Sequence, residues 1–185
     1  LQTGAFWVDP PGLADGDLRF EYVRIEPWIY THKFPINTFR HFDSPLGHEL
    51  APNSDRVAVT IAKRFGLGLS LTGKFQRSRH GANELLEDGS IRNVGGDLHY
   101  GWRPGDERNS KRFLDGLVER RTLLAGGVEW RILPQLVAEL GYEHEWGDHV
   151  PLPPNWGQGV SLTRRSGSGD GVQRHMWFDL RFHYF

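Results

Sequence analysis

Apolar and polar residues alternate along several stretches of this chain, which is the pattern of β-strands that have one apolar face. The alternation is clearest near the C-terminal end, where Met176, Phe178 and Leu180 are interleaved with Asp179 and Arg181. Apolar positions with the same period of two are Val57, Val59 and Ile61; Leu67, Leu69, Leu71 and Phe75; Leu124, Val128, Trp130 and Ile132; and Leu136, Ala138, Leu140, Tyr142 and Trp146. Period two over such lengths predicts strands rather than helices.

The predicted strands are joined by connections that alternate between very short and very long. We expect about six long strands, at roughly 18–30, 55–65, 67–79, 113–131, 135–146 and 174–185. The joints at 65–68 and 131–134 are tight, whereas 31–54, 80–112 and 147–173 each exceed twenty residues. All three long connections therefore fall at one end of the sheet. Short periplasmic turns opposite long extracellular loops are typical of bacterial outer-membrane barrels.

This loop sorting predicts an all-β fold, an antiparallel up-and-down sheet that forms the C-terminal part of a transmembrane outer-membrane β-barrel. We expect residues 1–185 to make a single domain within that larger barrel. Six strands are fewer than the eight of the smallest such barrels, so the remaining strands are expected before Leu1. The open alternatives are a soluble sheet of lipocalin-like or sandwich type and a sheet with one wet face.

The orientation of strand 18–30 is the least clear. We expect Val23, Ile25 and Ile29 to point outward, because the opposite choice would place Arg24 in lipid at a cost of about 2–4 kcal/mol. The interior would then hold five basic and five acidic side chains that can pair across strands: Arg24, Arg64, Lys74, Arg131 and Arg181 with Glu26, Glu129, Glu139, Glu143 and Asp179.

Composition narrows the possible classes further. The 185 residues are 38% hydrophobic, and a barrel needs apolar residues only at alternate positions. No apolar run approaches the roughly 20 residues of a membrane helix, so a helical membrane protein is excluded. The chain has no cysteine, which removes disulfide scaffolds and thiolate chemistry. A net charge of −1 gives no electrostatic footprint for nucleic acid, so we expect no nucleic-acid partner.

One part of the chain resembles a known family. The run RFEYVRIEPWIYTHKFPINTF from Arg19 to Phe39 and the run SPLGHELAPNSDRV from Ser44 to Val57 are similar to the C-terminal part of the Wzi-type capsule assembly family. The terminal segment WFDLRFHYF resembles the signal by which outer-membrane barrels are recognised for insertion. The resemblance implies a cell outer-membrane location, with the lipid bilayer, surface polysaccharide and the barrel insertion machinery as partners.

The resemblance also implies a non-enzymatic function, in which the barrel binds or retains capsular or other surface polysaccharide. The alternative function is a porin-like solute channel, because a balanced, charge-lined lumen suits permeation equally well. We expect no cofactor. An enzyme is disfavoured because no G-x-S-x-G or comparable spacing is present.

The best candidate ligand-binding residues combine aromatic rings with charged and polar groups. Aromatic faces pack against sugar C–H surfaces while carboxylate and guanidinium groups bond hydroxyls. The candidates are Tyr22, Arg24, Glu26, Trp28, Tyr30, His32, Arg40 and His48. The alternative is that these side chains pack beneath a loop or brace it. Glu143, His144, Glu145, Asp148 and His149 have the residue types of a metal site, but strand alternation points His144 away from its neighbours, so we expect no metal there.

Overall fold

A computed structural model describes residues 1–32, 34–41, 44–106, 112–149, 164–165 and 171–182. The long strands are β1 (Gln2–Val8), β2 (Gly16–Ile25), β5 (Ser54–Arg64), β6 (Leu69–Ala82), β9 (Leu117–Leu133), β10 (Leu136–Asp148) and β12 (Gly171–Phe182). Short strands are β3 (Arg40–His41), β4 (Ser44–Pro45), β7 (Glu84–Leu85), β8 (Ile91–Arg92) and β11 (Arg164–Arg165). Helical structure in these ranges is limited to 3-10 turns at Pro35–Asn37 and Gly66–Gly68. Accordingly, none of the described residues forms a helix with the length and apolar character needed to cross a membrane.

The long strands form one antiparallel sheet of seven strands in the order β1-β2-β5-β6-β9-β10-β12. This confirms the all-β antiparallel prediction, with one strand more than expected, because β1 was not predicted. Short connections at 9–15, 65–68 and 134–135 lie at one end of the sheet, and the strand ends that flank the long connections 26–53, 83–116 and 149–170 lie at the other. The predicted sorting of loops is confirmed. The described sheet is open, with β1 and β12 at its edges.

The two faces of the sheet differ sharply in chemistry. One set of paired positions runs from Phe20 through Val59 and Phe75 to Leu124. We call this side the apolar face; its exposed members include Phe20, Ile61, Leu71, Phe75, Leu124, Val128, Trp130, Leu140, Tyr142, Met176, Phe178 and Leu180. The other side, the polar face, carries Arg64, Lys74, Arg131, Arg181, Glu129, Glu139, Glu143 and Asp179. These eight charges share one face, as predicted.

The expected orientation of strand 18–30 is wrong. Tyr22 is paired with Val57 and Arg24 with Asp55, so both lie on the apolar face. Val23 and Ile25 lie on the polar face, where they are 1% and 8% exposed. The strand also ends at Ile25, which leaves Glu26, Trp28 and Tyr30 in the following loop rather than on a strand.

The physical reason is the position of Arg24 at the loop end of the sheet. It belongs to a line of paired residues on the apolar face that crosses five strands, which we call the charge row: Arg24, Asp55, Arg79, Arg120 and Asp148. The charge row lies closer to the long loops than the apolar residues do. Arg24 is therefore not placed among apolar residues, and the free-energy cost of an arginine in lipid does not arise. Burial of Val23 and Ile25 under the loops then determines the orientation of β2.

The buried core lies between the long loops rather than on the sheet. We call the described residues of 26–53 and 83–116 the loop cap. Fully buried residues within it or at its junction with the sheet include Val23, Pro27, Pro52, Asn53 and Asn83. Asn53 has a left-handed backbone, with φ of 58°. Its side-chain amide donates to the carbonyl oxygens of Gly81 at 2.8 Å and Asp115 at 3.0 Å, and its Oδ1 accepts from the N–H of Leu114 at 2.7 Å. A single side chain thus joins the two loops.

Several predictions concern residues that the structure does not describe. The final residues of WFDLRFHYF, at 183–185, lie outside the described residues, as do 150–163 and 166–170.

Candidate ligand-binding site in the loop cap

A cavity of about 230 Å³ opens within the loop cap. Its lining combines one indole ring with charged and amide side chains: Trp28, Arg92, Asn93, Asp106, Arg112 and Asp115. The cavity lies at the end of the sheet that carries the long connections. Of the eight candidate residues, Trp28 is the one among its lining residues.

The position of Trp28 is determined by local backbone geometry. Its φ is 68°, in the left-handed region, and its N–H donates to the carbonyl of Gly95 at 2.9 Å. A Cβ added at Gly95 would lie 2.5 Å from the indole, so the ring rests directly on that glycine. Thr31 Oγ1 donates to the carbonyl of Trp28 at 2.7 Å. The indole is therefore held in place by its neighbours and remains only half-buried.

The charged groups beside Trp28 are held by hydrogen bonds. Arg92 donates to both carboxylate oxygens of Asp115 at 2.9 Å and to Glu84 at 3.0 Å. Burial opposes ionisation of Asp115, but the hydrogen bonds from Arg92 and from the N–H of Gly116 outweigh it and lower the pKa of that carboxyl. Asn93 donates to Asp106 at 3.0 Å. Oriented polar groups beside a fixed aromatic ring can bind a ligand that has both C–H surface and hydroxyl groups.

Three of the other candidate residues, Tyr30, His32 and His48, brace the loop 26–53. Tyr30 stacks on Phe39, with ring centroids 6.1 Å apart, and its hydroxyl accepts from the N–H of His48 at 3.0 Å. His48 Nδ1 in turn accepts from the N–H of Leu50 at 3.1 Å. His32 Nδ1 accepts from the N–H of Phe34 at 3.0 Å, and Arg40 lies in β3. These contacts match the alternative in which the polar side chains hold the loop.

The remaining candidates lie on or beside the apolar face. Tyr22 is paired with Val57, and the Arg24 guanidinium stands 3.8 Å from the ring centroid of Phe113 and forms an ion pair with Glu26, with 2.7 Å between Nε and Oε1. The eight candidates therefore do not form one site. The cavity residues that sequence reasoning missed, Arg92, Asn93, Asp106 and Asp115, lie in a loop whose Asn, Asp and Gly content indicates only turns.

Of the possible metal ligands, the alternation separates Glu143 and Glu145 from His144, while Asp148 lies beside His149 with 2.8 Å between Oδ1 and Nδ1. Glu143 and Glu145 lie on the polar face, whereas His144 lies on the apolar face, where its ring is 5.3 Å from that of Trp146. Asp148 pairs with Arg120 at 2.9 Å. Within the described ranges, no three such side chains converge on one point.

A larger cavity, of about 640 Å³, lies on the polar face beneath the loop 26–53. Glu49 and Leu50 of the loop form one side, and Arg19, Arg56 and Lys74 of the sheet form the other. Arg56 donates a hydrogen bond to Glu49, and this bond and the positive charge of Arg56 lower the pKa of the Glu49 carboxyl. The loop is thereby fastened to the polar face of the sheet.

Comparisons of this chain with protein-family models, with curated proteins and with solved structures give no match.

Proposed function

We propose that this chain forms the C-terminal part of a transmembrane β-barrel in the outer membrane, and that its loop cap binds surface polysaccharide. The observation that carries the membrane proposal is the exposure of the apolar face. On β12 alone, Met176, Phe178 and Leu180 are 73%, 68% and 57% exposed. A contiguous apolar surface of this extent needs a partner, and lipid is the partner that a continuous sheet face fits.

The height of the apolar face supports the same proposal. On β10, apolar-face residues run from Leu136 to Trp146. The next residue on that face, Asp148, belongs to the charge row. Ten residues at about 3.3 Å each span ~33 Å along a strand. With a barrel tilt of about 40° the vertical height is ~25 Å, the height of the apolar band of outer-membrane barrels.

Three basic residues on the apolar face outside the charge row, Lys63, Arg77 and Arg174, are compatible with this arrangement. Arg77 is paired with Val57 and Thr122, and the next residue on its face is Arg79 of the charge row. Lys63 lies near the short-turn end of β5, and its ammonium group donates to the carbonyl of Ala14 in the turn between β1 and β2. Arg174 lies near the loop end of β12, where it is paired with His144. Val172 is the next residue on the same face. Long basic side chains in such positions extend along apolar surface and place their charge at the interface.

The polysaccharide proposal is supported by the position and chemistry of the Trp28 cavity. In a barrel with short periplasmic turns, the long loops face outward, so the loop cap meets the cell surface. Trp28 supplies an apolar platform, and Arg112, Asn93 and Asp106 supply donors and acceptors at its edge. The lipid bilayer and the barrel insertion machinery are the further partners of such a protein.

The loop 26–53 favours polysaccharide retention over solute permeation. Glu49 and Leu50 lie over the polar face, which in a barrel faces the lumen, and the bond from Arg56 holds them there. An obstructed lumen suits a binding protein better than an open channel.

The test compares Trp28→Ala and Trp28→Phe in the full-length protein, expressed in cells that make a capsule. We expect Trp28→Ala to release polysaccharide into the medium while Trp28→Phe retains most of it, because the aromatic platform remains. Ile36→Ala is the matched control, since Ile36 is a loop residue that is 92% exposed and lies outside the cavity. Unchanged cell-bound polysaccharide in Trp28→Ala, or large open conductance steps in planar bilayers, would contradict the proposal.

A further inference from the structure

A second cavity on the polar face, of about 290 Å³, has an aromatic wall and a floor of small residues. The wall is Trp177 of β12, and the floor is formed by small residues on neighbouring strands, Thr72, Ala125 and Gly127. Trp177 leans over Gly141, since a Cβ added there would lie 2.0 Å from its six-membered ring. The ring of His175 stacks on Trp177 with 5.4 Å between the centroids.

The glycine next to this pair leaves the floor open. A Cβ added at Gly127 would meet no atom nearer than 3.8 Å, so the space above Gly127 is free. The indole therefore covers Gly141 and borders an uncovered patch of backbone on β9. An aromatic ring that covers a strand glycine stabilises a sheet by itself, so the ring alone does not identify a ligand site.

The charges around the cavity are a second observation, besides the aromatic ring, that indicates a ligand site. Glu129 and Glu139 both form ion pairs with Arg181, at 3.5 Å and 2.5 Å. Lys74 and Glu143, in contrast, have no ion pair or side-chain hydrogen bond within the part of the chain that the structure describes. They lie in line across the sheet with Ala125 between them, at two strand spacings, or about 10 Å. Two opposite charges thus face the same space without reaching each other.

We propose that this cavity binds one neutral hexopyranose unit of a saccharide, packed against Trp177 over Gly127 and hydrogen-bonded at its two edges by Lys74 and Glu143. Hydroxyl groups both donate and accept, so one sugar ring satisfies an ammonium group on one side and a carboxylate on the other. The C–H face of the ring matches the indole. The site contains no loop-cap residue. This inference rests on the proposed function only in that both take the ligand to be a saccharide.

The test is ligand-observed saturation-transfer NMR on the full-length protein, with D-glucose and D-galactose as separate probes. The protein is folded in lauryldimethylamine oxide, because this detergent has no sugar headgroup that would compete. We expect transfer to the ring protons of at least one probe. Trp177→Ala and Glu143→Gln are each expected to weaken binding by about tenfold or more, and Trp177→Phe by much less.

Gly127→Val provides a second variant, whose added Cβ meets only ordinary van der Waals contact. The valine fills the floor of the cavity above Gly127, and β-branched residues are favoured in strands. We expect it to abolish transfer while heat-modifiable migration of the folded protein stays normal. Absence of transfer in the wild-type protein, or equal transfer in Gly127→Val, would overturn the inference.

The loop-cap variant Trp28→Ala separates this inference from the proposed function. We expect Trp28→Ala to leave monosaccharide transfer unchanged. If Trp28→Ala releases capsule but Trp177→Ala does not change the transfer, the proposed function stands and the inference fails. If transfer depends on Trp177 but capsule retention does not depend on Trp28, the inference stands and the proposed function fails.

Discussion

The guanidinium of Arg79 donates to both carboxylate oxygens of Asp55, at 3.0 Å from Nε and 2.5 Å from a terminal nitrogen. Asp55 is 4% exposed, whereas Arg79 is about half exposed. The pair sits in the charge row, at the level where the apolar face ends and the loop cap begins. It therefore joins the sheet to the buried residues above it, next to Asn53.

We expect Asp55→Asn to lower the free energy of unfolding by about 1–3 kcal/mol, because it removes a buried, two-point hydrogen-bonded partner of Arg79. Asp148→Asn is the matched control: its bond to Arg120 lies in the same row, but both side chains are 44% exposed. Exposed pairs contribute about 0–1 kcal/mol. Urea unfolding of the protein in lipid vesicles measures the free energy of unfolding of both variants. Equal losses of this free energy would show that burial does not make the Asp55 pair more stabilising than the exposed Asp148 pair.

Asn53→Ala is expected to loosen the loop cap. It removes three hydrogen bonds to Gly81, Asp115 and Leu114, and buried groups left unpaired cost about 1–3 kcal/mol each. We expect faster protease cleavage within 83–116 on folded protein in vesicles. Asn53→Gly tests the contribution of the side chain separately, because glycine adopts the φ of 58° without strain.

Asn37→Ala is the control for this experiment, since Asn37 is exposed and its side chain makes no hydrogen bond in the described structure. Cleavage of Asn53→Ala at the wild-type rate would show that Asn53 does not join the two loops.

The contact between Arg92 and Asp115 is expected to make the Trp28 cavity sensitive to acid. The pKa of Asp115 is lower in the folded protein, so its stabilising effect is complete above the ordinary aspartate value of about 3.9. It is lost as the pH falls through that value towards the folded pKa. The fluorine resonance of a fluorinated Trp28 should shift in this range. In Asp115→Asn the shift should be absent; an unchanged shift there would assign the titration to another group.

Gly95→Ala is expected to displace the indole of Trp28 and to weaken polysaccharide binding as much as Trp28→Ala does. The added Cβ would lie 2.5 Å from the ring, and the glycine has a φ of 76°. Gly89→Ala carries a similar backbone strain, with φ of 82°, but its Cβ would meet nothing within 4 Å. Binding of purified capsular polysaccharide to immobilised protein separates the two. Equal effects would mean that strain, rather than the position of Trp28, controls binding.

The alternation of residues was sufficient to predict the faces of β5, β6, β10 and β12. In these strands one face is apolar and the other charged or polar over many residues. In β12, for example, the even-numbered residues from Met176 to Phe182 are apolar, whereas Asp179 and Arg181 are charged. In β2 the same reasoning failed, because Val23 and Ile25 are buried by loops rather than by a neighbouring sheet or by lipid. The segment Gln2–Val8 was missed because its alternation is weak and carries no charge.

The candidate site was predictable only in part, for a related reason. Trp28 stood out as an aromatic residue among polar ones, but its partners Arg92 and Asp115 follow it by more than sixty residues. Their meeting depends on contacts such as Asn53 to Leu114, which no local pattern indicates. Tyr30 and His48 have residue types that suit ligand binding, yet the Tyr30 hydroxyl accepts from the backbone N–H of His48 and the His48 ring accepts from that of Leu50.

The orientation of β2 gives the most direct test of the proposal that the apolar face lies against lipid and the polar face inside a barrel. The 185 residues contain no cysteine, so Phe20→Cys and Glu21→Cys each add one labelling site to them, and any cysteine elsewhere in the full-length protein is replaced by serine before a fluorescent label is attached. In vesicles of brominated lipid we expect strong quenching of the label at position 20 and little at position 21. Equal quenching, reversed quenching, or none at either position would contradict the account.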